Sequence, residues 1–174
     1  MIADVNGEFQ DLINVDMPKS VPILAVRNLV LLPGVLSPIL IGRESSKILV
    51  QKAEKKGSVI GVLCQIDPDT DFPIKDDLYN IGVYAKVMKI LTLPNGNITA
   101  IVQAMGRMRL IDIDAVNPHL QGIVEPVPEI QPDKRDREFK AAMTDLRELV
   151  ENYITITDEI PDEAIFAVKN INNN

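Results

Sequence analysis

The sequence predicts an α+β protein: a small, partly open β-barrel of about six or seven short strands with one inserted helix, followed by the start of an α-helical subdomain. Three observations carry this. Apolar runs of four to eight residues, each stopped by proline or glycine, recur from Val21 to Val127 and read as strands. One segment after Gly42 changes to helical spacing and stops at Gly57. Beyond Pro126, Pro128 and Pro132, a short stiff linker, the period switches from two to about 3.6.

Residues 1–20 carry four acids among scattered apolar residues with no clear period, and read as a loosely held leader. Residues 21–128 are the expected barrel domain, and 129–174 the helical start. The stretch Ile23 to Arg43 is the most apolar in the chain. Pro33 and Pro38 would each break a helix, so it divides into two strands, Val21–Val26 and Leu36–Ile41, joined by Asn28 to Gly34. Proline near a strand start or on an edge loses no ladder bond, which fits Pro22 and places Pro38 on an edge or a bulge. A helix follows to about Lys56. Ser45 is its expected cap, Leu49, Val50 and Ala53 face inward, and lysines in the last turn suit the helix dipole.

Ser58 to Gln65 is a continuous apolar strand, followed by an acidic segment from Asp67. The plainest local signal is a hairpin, Tyr84–Leu93 and Ile98–Met105, around Pro94-Asn95-Gly96-Asn97, since Asn-Gly tolerates the positive φ of a tight turn. Gly106-Arg107 is expected to break the ladder before a strand at Met108–Ile113, and Leu120–Val127 is the last. In the tail, Phe139, Met143, Leu146, Val150 and Tyr153 form one stripe on a helix from about Asp133 to Asn152. A second helix begins at Asp158 to Pro161, with acids in its first turn. Its apolar residues have little to pack on before the final asparagines, as in a piece of a longer protein.

Composition narrows the function. Apolar residues make up 46% and charged residues 25%, values of a globular domain. Net charge is −7, and the acidity is concentrated late: residues 1–128 hold 12 basic against 14 acidic side chains, residues 129–174 hold 6 against 11. That balance argues against a nucleic-acid protein, which needs a basic patch. The single cysteine, Cys64, forbids an internal disulfide, and the N-terminus has no basic region leading into an apolar run, so a reducing cytoplasm is expected. The longest apolar stretch is too interrupted to cross a membrane.

Chemistry is mostly missing. Asp67, Asp69 and Asp71 have the spacing that opens an EF-hand, but Phe72 stands where that loop needs glycine and Leu78 where it needs glutamate, so the segment reads as a solvated loop. His119 reads as a surface turn residue and cannot build a histidine zinc site alone; Cys64 reads as buried packing. No phosphate-binding glycine loop and no activated serine context occurs. No catalytic residue, metal site or cofactor is therefore expected, and binding remains. Leu29 to Leu36 holds more apolar residues than one face of a small barrel need bury, so either both faces are covered or some side chains form an exposed patch.

Four blocks then carry a resemblance: Ile23-Leu-Ala-Val-Arg-Asn-Leu-Val-Leu-Leu-Pro-Gly, Pro38-Ile-Leu-Ile-Gly-Arg-Glu-Ser, Leu78-Tyr-Asn-Ile-Gly-Val-Tyr-Ala-Lys-Val and Leu93-Pro-Asn-Gly-Asn-Ile. In this order and spacing they resemble the N-terminal substrate-binding domain of ATP-dependent Lon proteases. Asp133-Lys-Arg-Asp-Arg-Glu through Tyr153 is similar to the start of that family's helical region. Ala25 departs where the family often has proline, and Leu32 where it often has an aromatic residue.

The resemblance implies a PUA-like pseudo-barrel around one helix. It implies a non-catalytic domain that captures unfolded, damaged or degron-tagged proteins and helps organise a hexamer with other Lon subunits. ATP and magnesium would belong to an ATPase module, and serine endopeptidase chemistry to a further domain; the motifs of neither occur in these residues. The expected contact surface is Leu31, Leu32, Pro33, Val35 and Leu36, with Arg43 and Glu44 at its rim. Two other readings stand beside it: a stand-alone module of this type for a peptide or small molecule, and an RNA-binding barrel, which the net charge opposes.

Overall fold

A computed structural model describes residues 18–93, 97–128, 133, 135–157, 160, 165 and 168. The chain divides into two compact units at Glu129. The acidic leader to residue 17, the turn at 94–96 and most of the second tail helix lie outside the described residues.

The first unit contains β1 (Ser20–Val26), β2 (Leu36–Ile41), α1 (Glu44–Lys56), β3 (Val59–Cys64), β4 (Ile81–Thr92), β5 (Ile98–Ala115) and β6 (Gln121–Pro126). A short 3-10 turn at Lys75–Asp77 leads into β4. The strands form a mixed sheet in the order β2-β5-β4-β3-β1-β6, and β6 also pairs with β5, so the sheet returns on itself. Every pairing is antiparallel except β1 with β3, whose connection passes through α1.

β5 makes closure possible. Its first half lies between β2 and β4, and its second half lies between β4 and β6. The sequence suggested a break at Gly106-Arg107, but the strand runs through it for 18 residues. The register shift there sets Tyr84 opposite Gly106 and Ala85 opposite Ala104, leaving Met105 unmatched. Such a bulge bends a strand without ending it. Glycine is needed at 106 for room: a Cβ would lie 2.6 Å from Tyr84 Oη and 2.7 Å from its Cε1.

Both faces of β1 are buried, because it is central and the sheet carries two apolar clusters. Leu24 and Val26 join Ile39, Ile41, Leu49, Val50, Ile60 and Val102 on the side covered by α1. Val21, Ile23 and Ala25 face the other way with Leu63, Tyr84, Met108 and Leu110. Continuous apolar runs in β1 and β3, instead of alternation, follow from this double burial. In α1, Leu49, Val50 and Ala53 are buried as expected, and Gly57 adopts φ 61°, its N–H and that of Ser58 reaching the last carbonyls. Ser45 is not the cap. The helix starts two residues earlier, with Arg43 in the cap position, and Arg43 makes no side-chain capping bond.

In the second unit, α2 spans Arg137–Ile156, and Asp136 caps it by accepting from the Glu138 and Phe139 N–H groups at 2.9 and 3.1 Å. Its less exposed line runs through Met143, Arg147, Val150 and Ile154, while Leu146 and Tyr153 face out. The stripe is turned from the one expected.

Candidate functional site: an apolar loop and its supports

After β1, Asn28 takes a left-handed conformation (φ 52°) and starts the turn towards β2. Side chains then alternate. Leu31 is 8% exposed and sits in the core beneath α1, whereas Val30, Leu32 and Leu36 are 73%, 64% and 56% exposed. Val35 is exposed too, Pro33 is half-buried, and Leu29 packs partly against the core. Of the residues grouped by sequence, Leu31 is therefore turned into the barrel and is not part of the exposed surface. The Val35 N–H donates to Leu32 O at 3.2 Å, and Gly34 N–H to Ala104 O at 3.0 Å, fastening the loop to β5.

The apolar surface continues along β2. Ile39 and Ile41 point into the core, and Leu36, Pro38 and Leu40 point out. Among the described residues β2 pairs only with β5, so it is an edge strand. Ala104 N–H donates to Val35 O at 2.9 Å, which sets the alternation so that position 38 would aim an N–H away from β5. Proline there removes a donor from the open edge, a common protection against unwanted strand pairing. Across the sheet, Leu36 lies in a row with Gln103 and Lys86, and Pro38 in a row with Ile101 and Lys89. Lysines thus bound the apolar surface on its β4 side.

Arg43 does different work from that expected. Its Nη2 donates to Gln65 Oε1 at 2.6 Å and to Thr70 O at 2.8 Å. Gln65, 3% exposed, donates in turn to Asp67 O and Thr70 O at 3.1 and 2.9 Å. Burial pushes the Arg43 guanidinium below its usual range, nearby Arg27 pushes the same way, and Asp71 opposes them. The side chain clamps the acidic loop to the barrel. Glu44 is exposed and pairs with Lys47 one helical turn on.

The acidic loop is likewise committed internally. Asp71 pairs with Arg27 at 2.9 Å, and Asp67 accepts from the Asp69 N–H. No group of three or more His, Cys, Asp or Glu side chains among the described residues is placed to hold a metal ion. His119 is not a surface residue: it is 8% exposed, and its Nδ1 lies 3.2 Å from Leu120 O, a contact that requires the proton on Nδ1. It lines a cavity of about 330 Å³ between the α1 N-terminus and Phe72–Ile74. Cys64 is only partly buried. It lines a second cavity, of about 310 Å³, behind Leu29–Leu31. Among the described residues no helix is long and apolar enough to cross a membrane.

Fold and surface together give a closed-sheet α+β domain with an apolar loop and an edge strand left open. The family model for the ATP-dependent protease La (LON) substrate-binding domain matches residues 20–174, and the chain belongs to that family. It is 38% identical to a Lon protease of Flavobacterium johnsoniae over 162 residues, covering 93% of this chain and 20% of that protein. It is also 38% identical to one of Parabacteroides distasonis over 170 residues, covering 98% and 20%. The chain thus spans about a fifth of the length of these relatives. The N-terminal domain of a Mycobacterium avium complex Lon protease shares the fold, with TM-score 0.66 and 24% identity over 88% of this chain and 76% of that one. A Lon N-terminal domain protein from Xanthomonas campestris does too, with TM-score 0.60 and 18% identity over 76% and 74%.

Proposed function

We propose that this domain holds unfolded, damaged or degron-tagged protein segments for an ATP-dependent serine protease of the Lon type, working in the cytoplasm. On this reading the domain contributes recognition and the rest of the parent protein contributes ATP hydrolysis and peptide cleavage. Val30, Leu32, Val35 and Leu36 are the contacts, Pro33 shapes the loop between them, and Pro38 and Leu40 extend the surface along β2. Arg43 and Glu44 stand outside it, occupied with Gln65 and Lys47. The exposed apolar side chains of α2, Leu146, Leu149 and Tyr153 among them, suit packing against neighbouring subunits of a hexamer.

One observation carries the recognition reading: Val30, Leu32 and Val35 on one short loop and Leu36 at the start of β2 all stand exposed, and the loop is hydrogen-bonded to β5. Apolar side chains scattered singly need no explanation, but a contiguous group marks a binding surface. The test is crosslinking of the chain to an unfolded substrate, with and without Leu32→Ser and Leu36→Ser together. Both residues are more than half exposed, so the double variant should keep its fold and unfolding midpoint while crosslinking falls at least several-fold. A folded double variant that crosslinks as well as the parent would overturn the assignment.

A further inference from the structure

Behind the apolar loop, the parallel pair β1–β3 ends at Val26 opposite Cys64. The chain leaving β1 crosses over this end, and the 310 Å³ cavity opens between it and the start of β4. Leu29, Leu31, Val62, Cys64, Tyr79 and Ile81 form most of its wall, and among the described residues none that lines it is charged.

We infer that this cavity is a socket for one large uncharged side chain, aromatic or branched aliphatic, of a protein segment lying on the loop. The inference rests on the recognition reading above and names what that surface selects. Size is the first argument. The volume lies at the lower end of the roughly 300–1,000 Å³ typical of ligand pockets, which suits a single side chain better than a nucleotide or cofactor. Wall chemistry is the second, because a charged group entering a wall without a charged partner would lose its hydration uncompensated. Position is the third: Leu29, Val30 and Leu31 belong both to the cavity wall and to the loop, so a segment resting on Val30 and Leu32 passes the cavity mouth. A buried anchor within a ring of weaker apolar contacts is the usual distribution of energy in a binding surface. A segment lacking such a residue would make only the weaker contacts.

Cys64 supplies the readout, being the only cysteine in the sequence and part of the socket wall. The experiment uses the 174-residue chain and two fluorescein-labelled peptides that are identical except for a central phenylalanine or alanine. Peptide binding is followed by fluorescence anisotropy, and alkylation of Cys64 by N-ethylmaleimide by mass spectrometry. The phenylalanine peptide should bind at least ten-fold more tightly and, when saturating, slow alkylation at least ten-fold; the alanine peptide, when saturating, should leave the alkylation rate within two-fold of the free chain. Chain alkylated beforehand, and the Cys64→Met variant, should bind both peptides alike, while Cys64→Ser should keep the preference. Equal affinity for the two peptides, or binding of the phenylalanine peptide with Cys64 alkylated at its free rate, would overturn the socket and leave the loop surface standing. Failure of both peptides to bind would overturn the socket and the loop surface together.

Discussion

Replacing Gly106 by alanine should destabilise the first unit through a single contact, and the contact can be isolated. The added methyl would sit 2.6 Å from Tyr84 Oη, 2.7 Å from Cε1 and 2.8 Å from Cζ, all closer than real Cβ atoms approach. Tyr84 is 5% exposed and packed with Ile23, Leu63 and Met108 in the cluster that faces away from α1, so the ring cannot simply swing into solvent. Overpacking of this kind costs about 1–3 kcal/mol. The chain has no tryptophan, so unfolding is best followed by far-UV circular dichroism in urea. The midpoint should fall with the slope unchanged. In a Tyr84→Leu background the same substitution should cost at least about 1 kcal/mol less, because the clashing ring has gone. A loss below about 0.5 kcal/mol in the parent, or an equal loss in both backgrounds, would refute the account of β5 as a strand bent around Tyr84.

Gln65→Ala should lower stability by about 2–3 kcal/mol, since it removes one bond to a charged donor and two neutral bonds at a buried position; an equilibrium urea curve within about 0.5 kcal/mol of the parent would contradict the clamp. Hydrogen exchange at residues 67–72 should quicken in the same variant, while the core of β4 stays protected. Gly57→Ala should cost about 1 kcal/mol by forcing a Cβ into a left-handed backbone conformation, read as a shift in thermal midpoint.

Local patterns in the sequence locate β1, β2, α1 and β3 to within a residue or two, because proline and glycine punctuate apolar runs whose length alone separates strand from helix. Of the two placements Pro38 suggests, an edge or a bulge, the structure has the edge. The features that escape are set by distant partners. Gly106 reads as a break because its reason, the ring of Tyr84, stands 22 positions away. His119 reads as a surface residue since nothing nearby in sequence predicts that the fold buries it beside a cavity. Arg43 looks free until Gln65 is brought to it, and an unbroken run such as Leu29 to Leu32 carries no contrast to reveal that Leu31 turns in while its neighbours turn out. The exposed surface was thus legible as a segment, but its inward and outward residues were not.

β1 pairs along one side with β6, strands that stand about a hundred positions apart in the chain. During synthesis the β4–β5 hairpin is complete only a few residues before β6 begins, whereas β1 emerges about a hundred residues earlier and must wait with one flank open until the end of the unit is made. Long-separated pairings of this kind form slowly, and an open strand edge in the interval is a place where other chains can attach. Nascent chains cut short before Gln121 should therefore be the ones most prone to aggregate, even though most of their strands are already present.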